Sequence, residues 1–362
     1  MWSYTEMTDR QETPNAMTCD LEDWFHILDH DKAPQIDDWA RLPCCAERNV
    51  ERFLQLFEDT HVRATFFCLG WMADRMPHVV RRCQQAGHEI GSHGYAHIMA
   101  RPANREIFQK DILRAKRVLE DVTGQEVVGF RAPGFSVRNN NPWFFDVVSE
   151  SGYRYDASVF PAHHGHGGYH GISPGPHIIQ TLHGPLVEIP ASTVSILGYR
   201  VCFFGGGYLR LSPLSVIRWG ARHLQSAGRP LIIYVHPREI QPDHPRLPLG
   251  LRRGFKCYVN LHTTMPKLSW FCEHWRFTTM NVVAAQVAQS LLSEPSGTHM
   301  QGERARPRSW GPTDTPPILP VSPRGREKTS EAVCEAGTAK VLASQRCSGS
   351  VSFPDEDSLR KG

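Results

Sequence analysis

Apolar residues follow a helical period through 46–58, where Val50, Phe53, Leu54 and Phe57 share a face. They do so again through 104–122, where Ile107, Ile112, Leu113, Ala115 and Leu119 are expected to face a core. Between these stretches lie short apolar runs at 16–21, 62–69, 127–130, 187–190 and 230–235. Runs of that length read as buried strands. Pro77 in a first turn and Gly87 as a stop frame a helix over 77–86, followed by a short strand at 88–91. Further helices are expected at 141–151, 213–226, 267–274 and 282–292, with a short extended piece at 277–279. Strands alternating with helices imply parallel βαβ units and an α/β fold.

The pattern stops near residue 294. Residues 294–362 are rich in Pro, Ser, Gly, Arg and Glu and carry no periodicity, which predicts a disordered tail. Residues 1–15 are expected to be frayed, leaving 16–293 as one domain. The net charge of +3 gives no field that points to nucleic acid. There is no run of 18 apolar residues for a spanning helix, and Met1 to Glu6 lacks the basic start and apolar core of a signal peptide. The ten cysteines contain no Cys-x-x-Cys, so free thiols and a cytoplasmic location are expected.

Candidate chemistry gathers where strands run out. His93 and His97 follow the strand at 88–91; on one helical turn their imidazoles would share a side. Asp20, Glu22 and Asp23 follow the first strand. Three carboxylates in four residues are costly without a compensating cation. One of them with the two histidines makes a His₂–carboxylate set with open positions, suited to Zn²⁺ hydrolysis or to non-haem iron. If the strand continues, Glu22 shares a face with Asp20; if the chain turns, Asp23 comes closer. Arg131 ends another strand, where it can clamp a carboxylate bidentately and hold its pKa down. Pro133 and Gly134 then turn the chain and can aim a backbone N–H at an oxyanion. His236 ends the strand at 230–235 and is a candidate general acid. Strand ends of this kind are where α/β barrels build active sites. The histidines at 163, 164, 166, 170 and 177 read as a groove loop rather than a second metal site, and Gly205–Gly207 reads as a tight turn rather than a phosphate cradle.

The segments Asp20 to His26, Arg63 to Trp71, Gly87 to His97, Phe130 to Ser136, Tyr153 to Pro161, Gly205 to Leu211 and Tyr234 to Pro237 together resemble the NodB-homology polysaccharide deacetylases, carbohydrate esterase family 4. More narrowly they resemble the branch associated with exopolysaccharide loci and the exosortase system, with its C-terminal extension at about 240–293. The resemblance spans roughly 16–290 and implies a distorted (β/α)₇ barrel. It implies Asp20 as general base, His93 and His97 as metal ligands with Glu22 or Asp23 as the third, and Arg131 as the residue that orients Asp20. Gly134 N–H would hold the oxyanion and His236 would be the general acid. The implied cofactor is a divalent metal, Zn²⁺ with Co²⁺, Ni²⁺ or Fe²⁺ as alternatives. The implied partner is an N-acetylated glycan or lipid-linked oligosaccharide, met in solution or by peripheral membrane association. The chain departs from the family at the first motif, which usually has adjacent aspartates. It departs again at Val159-Phe160, where many relatives have an acidic–tryptophan pair, and at Arg238, where tryptophan is usual in the branch. The carboxylate that tunes His236 is therefore open, with Glu188 and Glu239 as candidates. Two other functions compete: hydrolysis of a small nitrogenous amide on the same fold, and glycan binding by a degenerate site.

Overall fold

A computed structural model describes residues 14–293 except 102. The expectations for 1–13 and 294–362 lie outside the described residues. Eleven strands are described: β1 (Asn15–Leu21), β2 (Ala64–Cys68), β3 (Glu89–Ser92), β4 (Gly129–Phe130), β5 (Tyr155–Asp156), β6 (His177–Thr181), β7 (Gly184–Glu188), β8 (Val194–Ile196), β9 (Tyr199–Val201), β10 (Ile232–Val235) and β11 (Phe277–Thr278). The main sheet runs β10-β1-β2-β3-β4-β5-β7-β6, and β11 pairs with the start of β1. From β10 to β7 all neighbours are parallel, giving seven parallel strands, and β6 closes the edge antiparallel. This is the expected distorted barrel. Among the described residues its two edge strands, β6 and β10, do not pair with each other. The chain after β7 reaches β10 instead: Ser192 Oγ donates to Pro230 O at 3.1 Å and accepts from Ile232 N at 2.8 Å.

β1 and β2 are buried along almost their whole length, as expected for strands covered on both faces. The helix Ala46–Asp59 lays Val50, Phe53, Leu54 and Phe57 on the sheet as its period predicts. The helix Arg105–Thr123 is capped by the Asn104 side chain, which accepts from Ile107 N at 2.8 Å, and ended by Gly124 at φ 66°. Its buried face is Phe108, Asp111, Ile112, Ala115 and Leu119. Ile107 is exposed, contrary to expectation, because it sits in the first turn beside the cap. Gly205–Gly207 does not make an isolated turn; Gly206 begins the helix Gly206–Leu211. A second unforeseen helix, Gly250–Tyr258, follows the turn Pro237–Ile240. No helix among the described residues is long and apolar enough to cross a membrane.

Candidate metal and active site

The C-terminal ends of β10, β1, β3 and β4 bring together Asp20, Glu22, His93, Arg131 and His236, all buried or nearly so. Asp20 lies near the C-terminal end of β1, and its Oδ1 accepts from Arg131 Nη1 at 2.7 Å. The same Nη1 donates to Thr18 Oγ1 at 2.8 Å, and Nε donates to Ala157 O at 3.3 Å. Arg131 therefore grips Asp20 through one nitrogen rather than the expected two-pronged fork, while its Nε serves the carbonyl just beyond β5. Phe67 and Phe135 lie against the guanidinium, 4.2 and 5.3 Å from it. With Oδ1 fixed, Asp20 Oδ2 is left facing His93 Nε2 at 3.9 Å and His236 Nε2 at 3.8 Å.

His93 and His97 do not share a helical turn. β3 ends at Ser92, and 93–97 is a loop with Gly94 at φ 76° and His97 at φ 55°. A non-glycine residue in that region is strained and needs bracing. Asp111 supplies it: Oδ2 accepts from Tyr95 N and Oδ1 from Ala96 N, each at 2.9 Å. A side chain at Gly94 would meet Asp111 Oδ2 at 2.7 Å, so the loop requires glycine there. Asp111 was not singled out from the sequence, although a carboxylate on an otherwise apolar helix face was the available signal.

His93 Nδ1 bonds to Arg131 O at 2.8 Å, which fixes the ring and leaves Nε2 as the ligand atom. Glu22, His93 and His97 form a set whose ligand atoms all lie within 4.8 Å of one another. Glu22 Oε2 and His97 Nε2 are buried and lack a hydrogen-bond partner despite lying 2.9 Å apart. Two polar atoms this close, at the centre of a three-ligand set, are placed to share one cation. Two imidazoles and one carboxylate, with two of their donor atoms lacking a hydrogen-bond partner, suit a divalent metal. Burial alone would raise the Glu22 carboxyl pKa, but positive charge on His97 and His236 outweighs it and holds it below the usual range. Burial pushes His93 down to about 4, so it is a neutral ligand.

The choice between Glu22 and Asp23 is a local matter. β1 ends at Leu21, the chain turns with Glu22 N donating to Asp20 O at 2.9 Å, and Glu22 still enters the site. Asp23 is turned away. Its Oδ2 accepts from Cys45 N at 2.6 Å and Ala46 N at 2.9 Å, and its Oδ1 from Trp24 N at 2.7 Å. The expectation that a turn would favour Asp23 is corrected: the start of the helix Ala46–Asp59 claims that carboxylate.

His236 follows β10. Its Nε2 lies 3.1 Å from Glu22 Oε1, and its Nδ1 lies 3.0 Å from Glu239 Oε1. Glu239 is in turn held by Arg210 Nη1 at 2.7 Å, and both are buried. Burial opposes a charge on His236, but Glu22 and Glu239 outweigh it and raise its pKa. Burial likewise opposes ionisation of Glu239, but Arg210 and His236 bring its pKa down to about 2. Of the two candidates for tuning His236, the structure brings up Glu239. Glu188 is remote from that ring: it is Asp156's partner in the β5/β7 register. Gly134, at φ 64° in the turn Pro133–Phe135, lines the same pocket, as do His164 and His166 of the histidine-rich loop. The pocket holds about 290 Å³.

Two family models match the chain. One, described as polysaccharide deacetylase, matches residues 33–155; the other, described as a domain of unknown function (DUF3473), matches 157–285. The first covers His93, His97 and Arg131, and the second covers Arg210, His236 and Glu239. The chain is 30% identical over 125 residues to a peptidoglycan deacetylase of Helicobacter pylori, covering 34% of this chain and 41% of that protein. It is 33% identical over 101 residues to a peptidoglycan-N-acetylglucosamine deacetylase of Bacillus cereus, covering 28% of this chain and 46% of that protein. The chain thus spans less than half the length of these curated relatives. A solved structure described as a polysaccharide deacetylase from Mycobacterium smegmatis covers 83% of this chain and 99% of its own, with a TM-score of 0.51 at 19% identity, which shows a shared fold.

Proposed function

From the match of residues 33–155 to the polysaccharide deacetylase model and the similarity to two peptidoglycan deacetylases, we propose that the chain is a polysaccharide deacetylase that removes N-acetyl groups from amino sugars of a bacterial exopolysaccharide or its lipid-linked precursor. The observation that carries this reading is the convergence of Asp20, Glu22, His93, His97 and His236 at the ends of three strands. Glu22, His93 and His97 would hold a divalent cation, with zinc the best match to the donors and cobalt, nickel and iron(II) as alternatives. When bound, such a cation polarises the acetyl carbonyl and acidifies the attacking water.

The rest falls to the chain's own residues. Asp20 Oδ2 takes the proton of the attacking water, and Arg131 keeps Oδ1 occupied so that Oδ2 faces the site. Gly134 N–H supports the oxyanion. His236 Nε2 gives a proton to the departing amine, and Glu239 holds the ring through Nδ1. Acetate and a free amino sugar leave. Leu251 and Phe255, four apart on the helix Gly250–Tyr258 and 94% and 58% exposed, support contact with a lipid surface. Eight free cysteines among the described residues support a reducing, cytoplasmic setting.

The test is amine formation from N-acetylglucosamine oligomers by the wild type and by Asp20→Asn. Wild-type turnover with a loss of at least about 100-fold in the variant supports the reading. Equal turnover by both, or none by the metal-loaded wild type on any acetylated amino sugar, overturns it.

A further inference from the structure

The pocket has a second character that the deacetylation chemistry does not use. Besides its carboxylates it is lined by Arg210, Arg238, Arg253 and Lys256. Arg210 is spent: it pairs with Glu239 and donates to the carbonyls of Lys256, Cys257 and Val259. The other three bond to no carboxylate, although Glu22 and Glu239 lie close enough to Arg238 to raise its pKa against its burial. Among the described residues no carboxylate oxygen lies within 4 Å of Arg238, Arg253 or Lys256, in contrast to Arg131 and Arg210. Arg253 Nη2 donates to Leu28 O at 2.7 Å and meets His166 Nε2 at 3.2 Å, which aims the guanidinium, yet its buried Nε has no partner. Arg238 Nη1 is also buried without a partner, as is His164 Nδ1, whereas His166 Nδ1 has only Asp29 Oδ2 at 3.7 Å.

Guanidinium donors are seldom buried without an acceptor, and three orphaned ring or guanidinium nitrogens around one pocket call for a group rich in acceptors. Burial and the neighbouring cations hold His164 down to about 3 and His166 to about 4, so both are neutral groups beside fixed positive charge. Fixed cations and a planar fork are what phosphate and carboxylate groups bind. At about 290 Å³ the pocket is at the small end for ligand sites, which favours an anion on the reacting sugar or its immediate neighbour.

We propose that Arg238, Arg253 and Lys256 form an anion subsite, so that the substrate is a negatively charged N-acetylhexosamine unit rather than a neutral chitin-like chain. The anion is the phosphate that links a sugar to its carrier, or the carboxylate of a uronate. This inference rests on the function proposed above and narrows its substrate.

The test is calorimetric titration of the full-length, zinc-loaded protein with N-acetylglucosamine, its 1-phosphate and N-acetylglucosaminuronic acid. The charged sugars should bind at least about tenfold more tightly, and added salt should erode the difference. Arg253→Gln with Lys256→Gln should erase the preference, and Lys256→Gln alone, at an exposed position, should reduce it. Arg252→Gln, exposed and outside the pocket, should keep it. A stronger response to phosphate assigns a carrier-linked sugar, and one to uronate assigns an acidic polymer. Equal binding of charged and neutral sugars overturns the inference. So does a preference that survives the double variant, since it would then belong to the metal. Turnover separates the two ideas: deacetylation of neutral and charged sugars without discrimination sinks the anion subsite and leaves the deacetylase reading intact.

Discussion

Glu22 Oε2 stands 2.9 Å from His97 Nε2, and neither atom has a hydrogen-bond partner. With a neutral His97, two lone-pair atoms held this close suit a shared cation. That relationship ranks Glu22 above its neighbour Asp23, and the two should separate cleanly on mutation. Glu22→Gln should weaken zinc binding by more than about 100-fold, since changes outside the ligand shell alone cost about 10–100-fold. Asp23→Ala should leave zinc affinity nearly unchanged and cost about 1–2 kcal/mol of stability through the lost amide bonds of Cys45 and Ala46. Competition titration of metal and thermal melts decide between them; a large affinity loss in Asp23→Ala would reverse the assignment.

Asp111 braces the strained loop between the two histidines without touching a ligand atom. Asp111→Ala should therefore lower metal affinity by about 10–100-fold, with Asp111→Asn closer to the wild type because it keeps an acceptor. Equal zinc affinity in wild type and Asp111→Ala would show that the loop holds its shape unaided.

Glu239 Oε1 holds the His236 ring through Nδ1 at 3.0 Å. Glu239→Gln should lower kcat by a sizeable part of the about 10²–10⁴-fold that general acid–base catalysis contributes, with KM little changed. Steady-state kinetics on one acetylated oligomer reads the split. A raised KM at constant kcat would place Glu239 in substrate binding instead.

A pH effect on stability arises away from the metal. Asp156 and Glu188 face each other, fully buried, in the β5/β7 register and bond only with a proton between them. Burial raises Asp156 to about 6, and burial with the Asp156 charge pushes Glu188 well above the usual carboxyl range. The folded state is then the tighter proton binder, so this pair's stabilisation is present near pH 4 and is lost as pH rises through the folded values. Glu188→Gln removes one titrating group while keeping a donor. Its melting temperature should gain more on the wild type at pH 8 than at pH 5, and an identical shift at both pH values would contradict the shared proton.

Much of this site was legible because each strand ends in one polar residue: Asp20, His93, Arg131 and His236 stand out at the edges of apolar runs. What escaped the sequence depends on distant partners. The four-residue spacing of His93 and His97 suits a helix equally well, and only Gly94 and the Asp111 side chain make it a loop. Glu22 and Asp23 are indistinguishable until the backbone amides at 45 and 46 take one of them. Glu239 reaches His236 because the turn Pro237–Ile240 folds three residues back on themselves. The helices Gly206–Leu211 and Gly250–Tyr258 were missed because they are short and only one flank of each meets the core.

The central claim is that Glu22, His93 and His97 hold the metal on which amino-sugar deacetylation depends. Acetate release from N-acetylglucosamine oligomers should be followed for wild type and His93→Gln, each stripped by chelator and then given one equivalent of zinc. The wild type should fall silent on stripping and recover with zinc, and His93→Gln should stay silent at that stoichiometry. Undiminished release by the stripped wild type, or full recovery by His93→Gln, would contradict the account.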